Sequence, residues 1–182
     1  MSANTPIRMP EDLKGKRMRI QPSRVLEAQM EALGATPIPL AFSDVHTALE
    51  TGLVDGTENP PSNLYSKKMH EVQKYVAVTN HGYLGYAVIV NRKFWNSLPA
   101  DLRTTLERCM LDATRKNDDE AEKLNSQALT KVKESKKTTV VTLDSTELAA
   151  WRKALEPVHR RMESRISKDL INSIQKAAAA QR

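Results

Sequence analysis

The feature that most constrains the fold is a long stretch without a helix breaker. Between Ala100 and Ser135 the chain contains neither proline nor glycine, and apolar residues recur there with a helical period: Leu102, Leu106, Cys109 and Met110, Ala113, Leu124 and Ala128. Pro99 is well suited to the first turn of such a helix. The pattern predicts one helix of about 35 residues, roughly 50 Å long at 1.5 Å per residue. A helix of that length is too long for one compact domain, so we expect it to span two lobes.

The first eighty residues alternate short apolar strands with short helices. The predicted elements are, in chain order, a strand at 17–21, a helix at 24–33, a strand at 36–41, a helix at 44–51 and a strand at 54–59. Ser23 and Ser43 are the predicted N-caps, and Gly34 and Gly52 end the two helices. This order predicts parallel pairing through right-handed crossovers, so the expected fold class is α/β.

Later segments return to consecutive strands and then to helices. Residues 75–80 and 82–91 are predicted to be long, central, buried strands. Residues 136–143 form one β-branched strand in the same interpretation. Ser145 is expected to begin a helix that ends at Leu155. Pro157 is then expected to begin the C-terminal helices.

Composition and charge exclude several classes of protein. Apolar residues are 40% and charged residues 27%, as in ordinary globular proteins. The net charge of +6 lies after Asn91, where basic residues alternate with acidic ones, so solvated helix faces are the preferred interpretation. A nucleic-acid binder stays open as an alternative on this charge alone. The longest apolar run, 86–90, falls far short of the ~18 residues that cross a bilayer, and the first fifteen residues contain no apolar signal-peptide core.

No enzyme motif is present. His70 and Glu71 lack a second histidine at the zinc-protease spacing, and no phosphate-binding glycine loop or nucleophile elbow occurs. Asp55 and Glu58 could form an acid–base pair, but acids are common at strand ends. Cys109 is the single cysteine of the chain, so an intrachain disulfide is excluded. Its place in the helical pattern favours a small buried apolar residue over a nucleophile. We therefore expect a protein that is not an enzyme and needs no cofactor or metal.

Side chains at the ends of the predicted strands are candidate ligand contacts, because open α/β sheets bind ligands there. Arg19 could hold a carboxylate through two parallel hydrogen bonds, or be a surface arginine on an edge strand. Asn59 could orient an oxygen ligand, or be a turn residue before Pro60. His81 follows the next strand, with a structural histidine as the alternative, and Phe42 follows the second strand, with core or hinge packing as the alternative.

Several ordered motifs resemble one known family. They are Pro-Glu-Asp-Leu-Lys-Gly at 10–15, Met-Arg-Ile-Gln-Pro-Ser at 18–23, Ala-Phe-Ser-Asp-Val at 41–45, Val-Asp-Gly-Thr-Glu-Asn-Pro at 54–60, Glu-Val-Gln-Lys at 71–74 and Thr-Asn-His-Gly-Tyr at 79–83. Together they resemble the extracytoplasmic solute-binding subunits of tripartite ATP-independent periplasmic (TRAP) transporters. Within these, the DctP type, which binds C4-dicarboxylates, is the most similar branch.

The resemblance implies a fold and a set of site residues. The fold is a two-lobed, periplasmic-binding-protein-like (type II) α/β architecture with a long interlobe helix, closing on an organic acid. Arg19 would grip the ligand carboxylate and Asn59 would also contact the ligand. Phe42 and His81 would line the cleft, and Gln21 is included because it adjoins Arg19 on the strand.

The resemblance also implies a location, partners and a departure from the family. It implies the periplasm, a small carboxylate ligand and the membrane subunits of a TRAP transporter. Family members carry an N-terminal lobe upstream of the stretch ending at Gly15, so we expect that lobe to be incomplete here. We divide the chain into 1–91, the ligand-binding lobe with crossing strands, and 92–182, the bracing helix, returning strand and C-terminal helices. The alternative is a non-binding fragment that associates with itself or with a partner segment.

Overall fold

The structure is a computed structural model that describes residues 1–180, with side chains up to residue 178. The strands of this part are β1 (Ser2–Ala3), β2 (Arg17–Ile20), β3 (Thr36–Pro39), β4 (Gly56–Thr57), β5 (Tyr75–Val78) and β6 (Thr139–Thr142). The α-helices are α1 (Arg24–Ala32), α2 (Val45–Glu50), α3 (Pro61–Ser66), α4 (Arg92–Ser97), α5 (Ala100–Glu134), α6 (Ser145–Ile166) and α7 (Lys168–Ala180). Residues 181–182, the end of the second predicted segment, lie outside the described residues.

Within residues 1–180 the strands form one six-stranded sheet in the order β3-β2-β4-β1-β5-β6. β2 pairs in parallel with β3 and with β4, and β5 pairs in parallel with β6. The two-residue β1 lies antiparallel between β4 and β5. Every strand except β1 therefore runs in the same direction, which confirms the predicted parallel pairing and brings five carboxyl ends to one edge of the sheet.

Helices cover both faces of the sheet, as expected for an α/β fold. On one face α1 packs against α6, with Met30 and Trp151 in the shared core. On the other face lie α2, α3 and the C-terminal end of α5, with Leu49, Leu64 and Val132 in a second core. β6 and α6, which follow residue 91, belong to the same sheet and core as elements of the first eighty residues. The division of the chain at residue 91 therefore stays a prediction.

The predicted helix ends are right at both ends of α1 and at the C-terminal end of α2, where Gly52 has φ of 72°, but the predicted N-cap of α2 is wrong. Ser23 Oγ accepts a hydrogen bond from the amide of Leu26 at 3.4 Å, and Gly34 ends the helix region with φ of 72°. Ser43 does not cap α2. It lies in a 3₁₀ turn, and its hydroxyl donates a hydrogen bond to Asp44 Oδ1 at 2.8 Å. The turn is favoured because a serine next to an aspartate can bond locally instead of capping a helix.

The second of the two long strands predicted after residue 75 is wrong. β5 forms, but residues 81–91 have no regular secondary structure. Tyr83, Tyr86 and Ile89 are 93%, 87% and 89% exposed. No strand among the described residues lies beside this segment, and an apolar extended segment becomes a strand only when another strand takes up its backbone hydrogen bonds.

The long helix predicted from the sequence is confirmed as α5, with 35 residues. Pro99 stands one residue earlier than expected, at the N-cap. Only Ala128 and Val132 of this helix are buried, and residues 104–124 are all exposed. Cys109 is therefore exposed, which corrects the expectation of a buried cysteine: its stretch of the helix crosses no other described element that could cover it.

The predicted break at Pro157 is also wrong, because α6 continues through that residue. Its N-cap is Asp144 and not Ser145: the Asp144 carboxylate accepts from the amide of Glu147, whose side chain in turn accepts from the amide of Asp144, both at 2.8 Å. The buried face of α6 (Trp151, Leu155, Val158 and Met162) holds the two halves in line, which offsets the hydrogen bond lost at proline. None of the helices between residues 1 and 180 is long and apolar enough to cross a membrane.

Candidate functional site

The carboxyl ends of β2, β4 and β5 frame a cleft of about 530 Å³. Three of the predicted site residues line it: Gln21 directly after β2, Asn59 after β4 and His81 after β5. Glu58 and Gln29 lie on the same wall. The strand-end rule used on the sequence therefore brings these side chains together, because parallel strands deliver their carboxyl ends to one edge.

Arg19 lies just outside this cleft, on β2. The strand is held between β3 and β4, and Arg19 is only 2% exposed, so the alternative of a surface arginine on an edge strand is wrong. Its Nε and Nη2 donate to the Leu40 carbonyl oxygen at 3.1 and 2.7 Å. Burial lowers the pKa of the guanidinium, and the negative charge of Glu58 partly restores it. Among the described residues Nη1 has no hydrogen-bond partner, so it is available to an anion.

Phe42 stands beside Arg19 and not on the cleft wall. Its ring centroid is 5.9 Å from Arg19 Cζ, and the ammonium of Lys67 lies 5.1 Å from the same centroid. The side chain is 37% exposed, so the alternative of a core residue does not hold. The ring instead presents an exposed apolar surface that both cations approach.

Asn59 is tied to the Arg19 strand through Thr57. Its Nδ2 donates to Thr57 Oγ1 at 3.1 Å, and Thr57 stands opposite Arg19 in the parallel register of β2 and β4. The side-chain amide is thus fixed by the sheet. Among the described residues the side-chain oxygen of Asn59 accepts no hydrogen bond, so it is available to a donor group of a ligand.

His81 is held neutral in the cleft wall. The Thr79 hydroxyl lies 2.7 Å from Nδ1, and Nε2 is 3.9 Å from the Glu58 carboxylate. Burial lowers the pKa of His81 to about 3, and burial raises the pKa of Glu58. Withdrawal from water therefore disfavours the charged form of each group.

Glu58 is the cleft residue that the sequence did not reveal as a site residue. The sequence suggested only a carboxylate pair with Asp55, but Asp55 instead binds Arg17, with 2.7 Å between Nη2 and Oδ1. The two acids therefore do not share a proton, and no acid–base pair forms. Nothing in the local pattern distinguishes Glu58 from an exposed strand-end acid. In the described part of the chain no cluster of three or more His, Cys, Asp or Glu side chains could hold a metal ion.

The long helix contributes directly to the frame of the site. Asn125 of α5 accepts a hydrogen bond from the backbone amide of Ser62 at 3.1 Å. Ser62 lies in the first turn of α3, which begins two residues after Asn59. This contact satisfies an amide that has no partner inside its own helix, and it links α5 to the loop that carries Asn59.

Comparison with known proteins identifies the family of the chain. The model of the family "bacterial extracellular solute-binding protein, family 7" (DctP) matches residues 1–165. The chain belongs to this family. It is 53% identical over 179 residues to the C4-dicarboxylate-binding periplasmic protein DctP of Rhodobacter capsulatus, which covers 98% of this chain and 54% of that protein. The resemblance inferred from the ordered motifs is confirmed, and a family of solute-binding proteins agrees with the prediction of a binding protein and not an enzyme.

Solved structures share the fold of this DctP-family chain. A TRAP periplasmic solute-binding protein from Shewanella oneidensis with bound succinate superimposes with a TM-score of 0.88 at 37% identity, covering 94% of this chain and 56% of that one. A TRAP protein from Pseudomonas aeruginosa PAO1 with bound L-malate gives 0.83 at 40% identity, covering 88% and 56%. The chain thus spans about half the length of the proteins it matches, and the predicted periplasmic-binding-protein-like α/β fold is confirmed.

Proposed function

We propose that this chain is the ligand-contacting part of a TRAP-type solute-binding protein that captures a small organic acid, a C4-dicarboxylate such as succinate, malate or fumarate, for transport across a membrane. The observation that carries the proposal is Arg19: a buried guanidinium at the end of a parallel strand, without a carboxylate partner among the described residues and with Nη1 unused. A charge in such a place is stabilised when an anion joins it.

Each predicted site residue has a role in this proposal. Arg19 supplies charge-assisted hydrogen bonds to a carboxylate. Asn59, Gln21 and neutral His81 offer uncharged polar groups in the cleft, which suit a hydroxyl group of such a ligand. Phe42 packs against the carbon chain and excludes water as the site closes. The membrane subunits of a TRAP transporter are the proposed partners, and the periplasm is the proposed location, in line with the names of the relatives.

The proposal is tested by titrating the ¹⁵N-labelled chain with succinate and following amide chemical shifts, a readout that detects weak binding. We expect shifts near β2, Phe42 and Asn59 in the wild type and their loss in Arg19→Gln. Arg17→Gln is the matched control, because it removes the same group from the same strand at a side chain that faces Asp55. Equal succinate affinity in wild type and Arg19→Gln would overturn the assigned role.

A second candidate function is self-association, and the exposed apolar segment favours it. Residues 83–90 are unpaired among the described residues, with Val88 79% exposed, and an extended apolar segment readily pairs with another chain. Light scattering separates the two candidates. A wild-type monomer that binds succinate supports the transport role. A wild-type dimer that becomes a monomer in Val88→Lys supports self-association.

A further inference from the structure

Lys67 is a cation whose place beside Phe42 the sequence did not reveal. It follows the last residue of α3, where its backbone amide donates to the Asn63 carbonyl at 3.1 Å. Asn59 lies just before the same helix. The helix α3 therefore has a predicted ligand contact, Asn59, just before its N-terminus and the ammonium group of Lys67 just after its C-terminus.

The charge of Lys67 has no acidic partner among the described residues. Glu71, four residues further on, is the nearest acid in sequence, but its carboxylate binds Lys137 at 3.0 Å. Arg19 is likewise without an ion pair. Two positive groups without an ion pair among the described residues thus converge on one aromatic ring. Glu58 is the carboxylate whose charge acts on Arg19, and Lys67 adds positive charge on the other side of this balance.

The spacing of the two cations suits a molecule with two negative ends. Their distances to the shared Phe42 centroid, 5.9 Å from Arg19 Cζ and 5.1 Å from Lys67 Nζ, limit their separation to about 11 Å. An extended four-carbon diacid has its carboxyl carbons about 4 Å apart, and each charge-assisted contact adds about 3 Å. One such molecule can therefore reach both groups across the ring.

From this geometry we infer that Lys67 binds the second carboxylate of the ligand and so selects dicarboxylates over monocarboxylates. The inference rests on the proposed function, in which Arg19 holds the first carboxylate. Phe42 orients Lys67 by a cation–π contact and supports the carbon chain between the two charges. A monocarboxylate makes only the Arg19 contact and leaves Lys67 without an anion.

The test compares succinate with butyrate, which has the same number of carbons and one carboxylate. Affinities are measured by the same amide-shift titration at matched ionic strength, because salt screens exposed charges. In Lys67→Met we expect succinate to bind about fivefold more weakly, with butyrate affinity unchanged. Lys67→Arg should restore the preference for succinate. Lys153→Met on α6, on the opposite face of the sheet, removes the same charge and should behave as wild type.

The outcomes separate this inference from the function on which it rests. Loss of succinate and butyrate affinity to the same degree in Lys67→Met, or no loss of either, overturns the role of Lys67. A wild-type chain that shows no succinate-dependent shifts overturns the proposed function itself. Circular dichroism of each variant establishes that the fold is intact, as expected for an exposed lysine.

Discussion

The carbonyl oxygen of Leu40 accepts two hydrogen bonds from the guanidinium of Arg19, at 2.7 and 3.1 Å. Leu40 follows β3, and its amide donates to the Ile20 carbonyl of β2 at 3.2 Å. The main chain after β3 is thus joined to β2 by both its donor and its acceptor. The arginine is held as firmly as the sheet, and its free nitrogen, Nη1, has a fixed direction.

This contact predicts that Arg19→Lys is destabilising although the charge is kept. A lysine ammonium cannot make the two parallel bonds of the guanidinium fork, so we expect the free energy of unfolding to fall by about 1 kcal/mol. Urea denaturation measures it. Arg24→Lys on α1, where an exposed guanidinium makes one ion pair with Glu27, should change stability by less than about 0.5 kcal/mol. Equal losses in the two variants would contradict the argument.

His81 predicts a stability that declines in acid. Its pKa is lowered from 6.5 to about 3 by burial, so the unfolded chain binds a proton more readily than the folded chain between these values. The free energy of unfolding should therefore fall as the pH drops below 6.5, by up to about 1.4 kcal/mol per pH unit from this group. Denaturation curves collected between pH 6.5 and 4.5 measure the slope.

The control for this pH dependence is a variant of an exposed histidine. His81→Gln should have a shallower slope than the wild type, because the group that takes up the proton on unfolding is gone. His159→Gln, on the exposed side of α6, should keep the wild-type slope. Identical slopes in His81→Gln and the wild type would show that His81 is not the group responsible.

Gly56 predicts a severe packing defect on the gain of one methyl group. A Cβ at this position would overlap the Ser2 carbonyl oxygen and lie 2.9 Å from Met18 Sδ. We expect Gly56→Ala to lower the free energy of unfolding by about 3 kcal/mol, as measured by thermal denaturation. At Gly82 the nearest atom would be Gln29 Nε2 at 3.8 Å, so Gly82→Ala serves as the neutral comparison.

Trp151 predicts a further difference between the two tryptophans. Its side chain is 1% exposed and its indole nitrogen donates to the Arg8 carbonyl at 2.7 Å. Trp151→Phe removes that bond and leaves unfilled volume, so we expect a loss of about 2 kcal/mol. Trp95→Phe on the short α4 should cost much less. Chemical denaturation followed by circular dichroism compares them without relying on tryptophan fluorescence.

Pro157 predicts a gain in stability on substitution. It lies inside α6, on the exposed side, where proline removes one helix hydrogen bond. Pro157→Ala should raise the free energy of unfolding by about 1 to 2 kcal/mol, since the greater freedom of the unfolded chain offsets part of the gain. The midpoint of thermal unfolding should rise, whereas Glu156→Ala at the neighbouring position should leave it nearly unchanged.

The parts of the fold that were predictable from sequence are those specified by local signals. Ser23 and Gly34 bound α1 through side-chain capping and a left-handed glycine, both of which depend on a few adjacent residues. α5 was predictable because 35 residues without a breaker leave few alternatives. Strand direction followed from element order, since parallel strands need crossover connections.

The errors arose where a contact remote in sequence decides the outcome. Residues 82–91 have the composition of a strand, but strand formation depends on a neighbouring strand. Cys109 has the spacing of a buried residue, but burial depends on what the helix crosses. Pro157 has the properties of a helix start, and the packing of Trp151 and Val158 overrides them.

The site was partly predictable for the same reason. Asn59, His81 and Gln21 follow strands, so topology alone gathers them. Lys67 is brought to Phe42 by the length and direction of α3, and Glu58 is distinguished only by burial. Neither property is visible in a local pattern of residues.

The exposed part of α5 can amplify small movements at the packed end of the helix. Residues 104–124 correspond to about 31 Å of helix without buried side chains, whereas the other end is fixed by Asn125, Ala128 and Val132. A rotation of about 10° at that fixed end would carry the far tip by about 5 Å, because displacement grows in proportion to arm length. Small adjustments of the loop between Asn59 and Ser62 are therefore magnified at the opposite end of the rod.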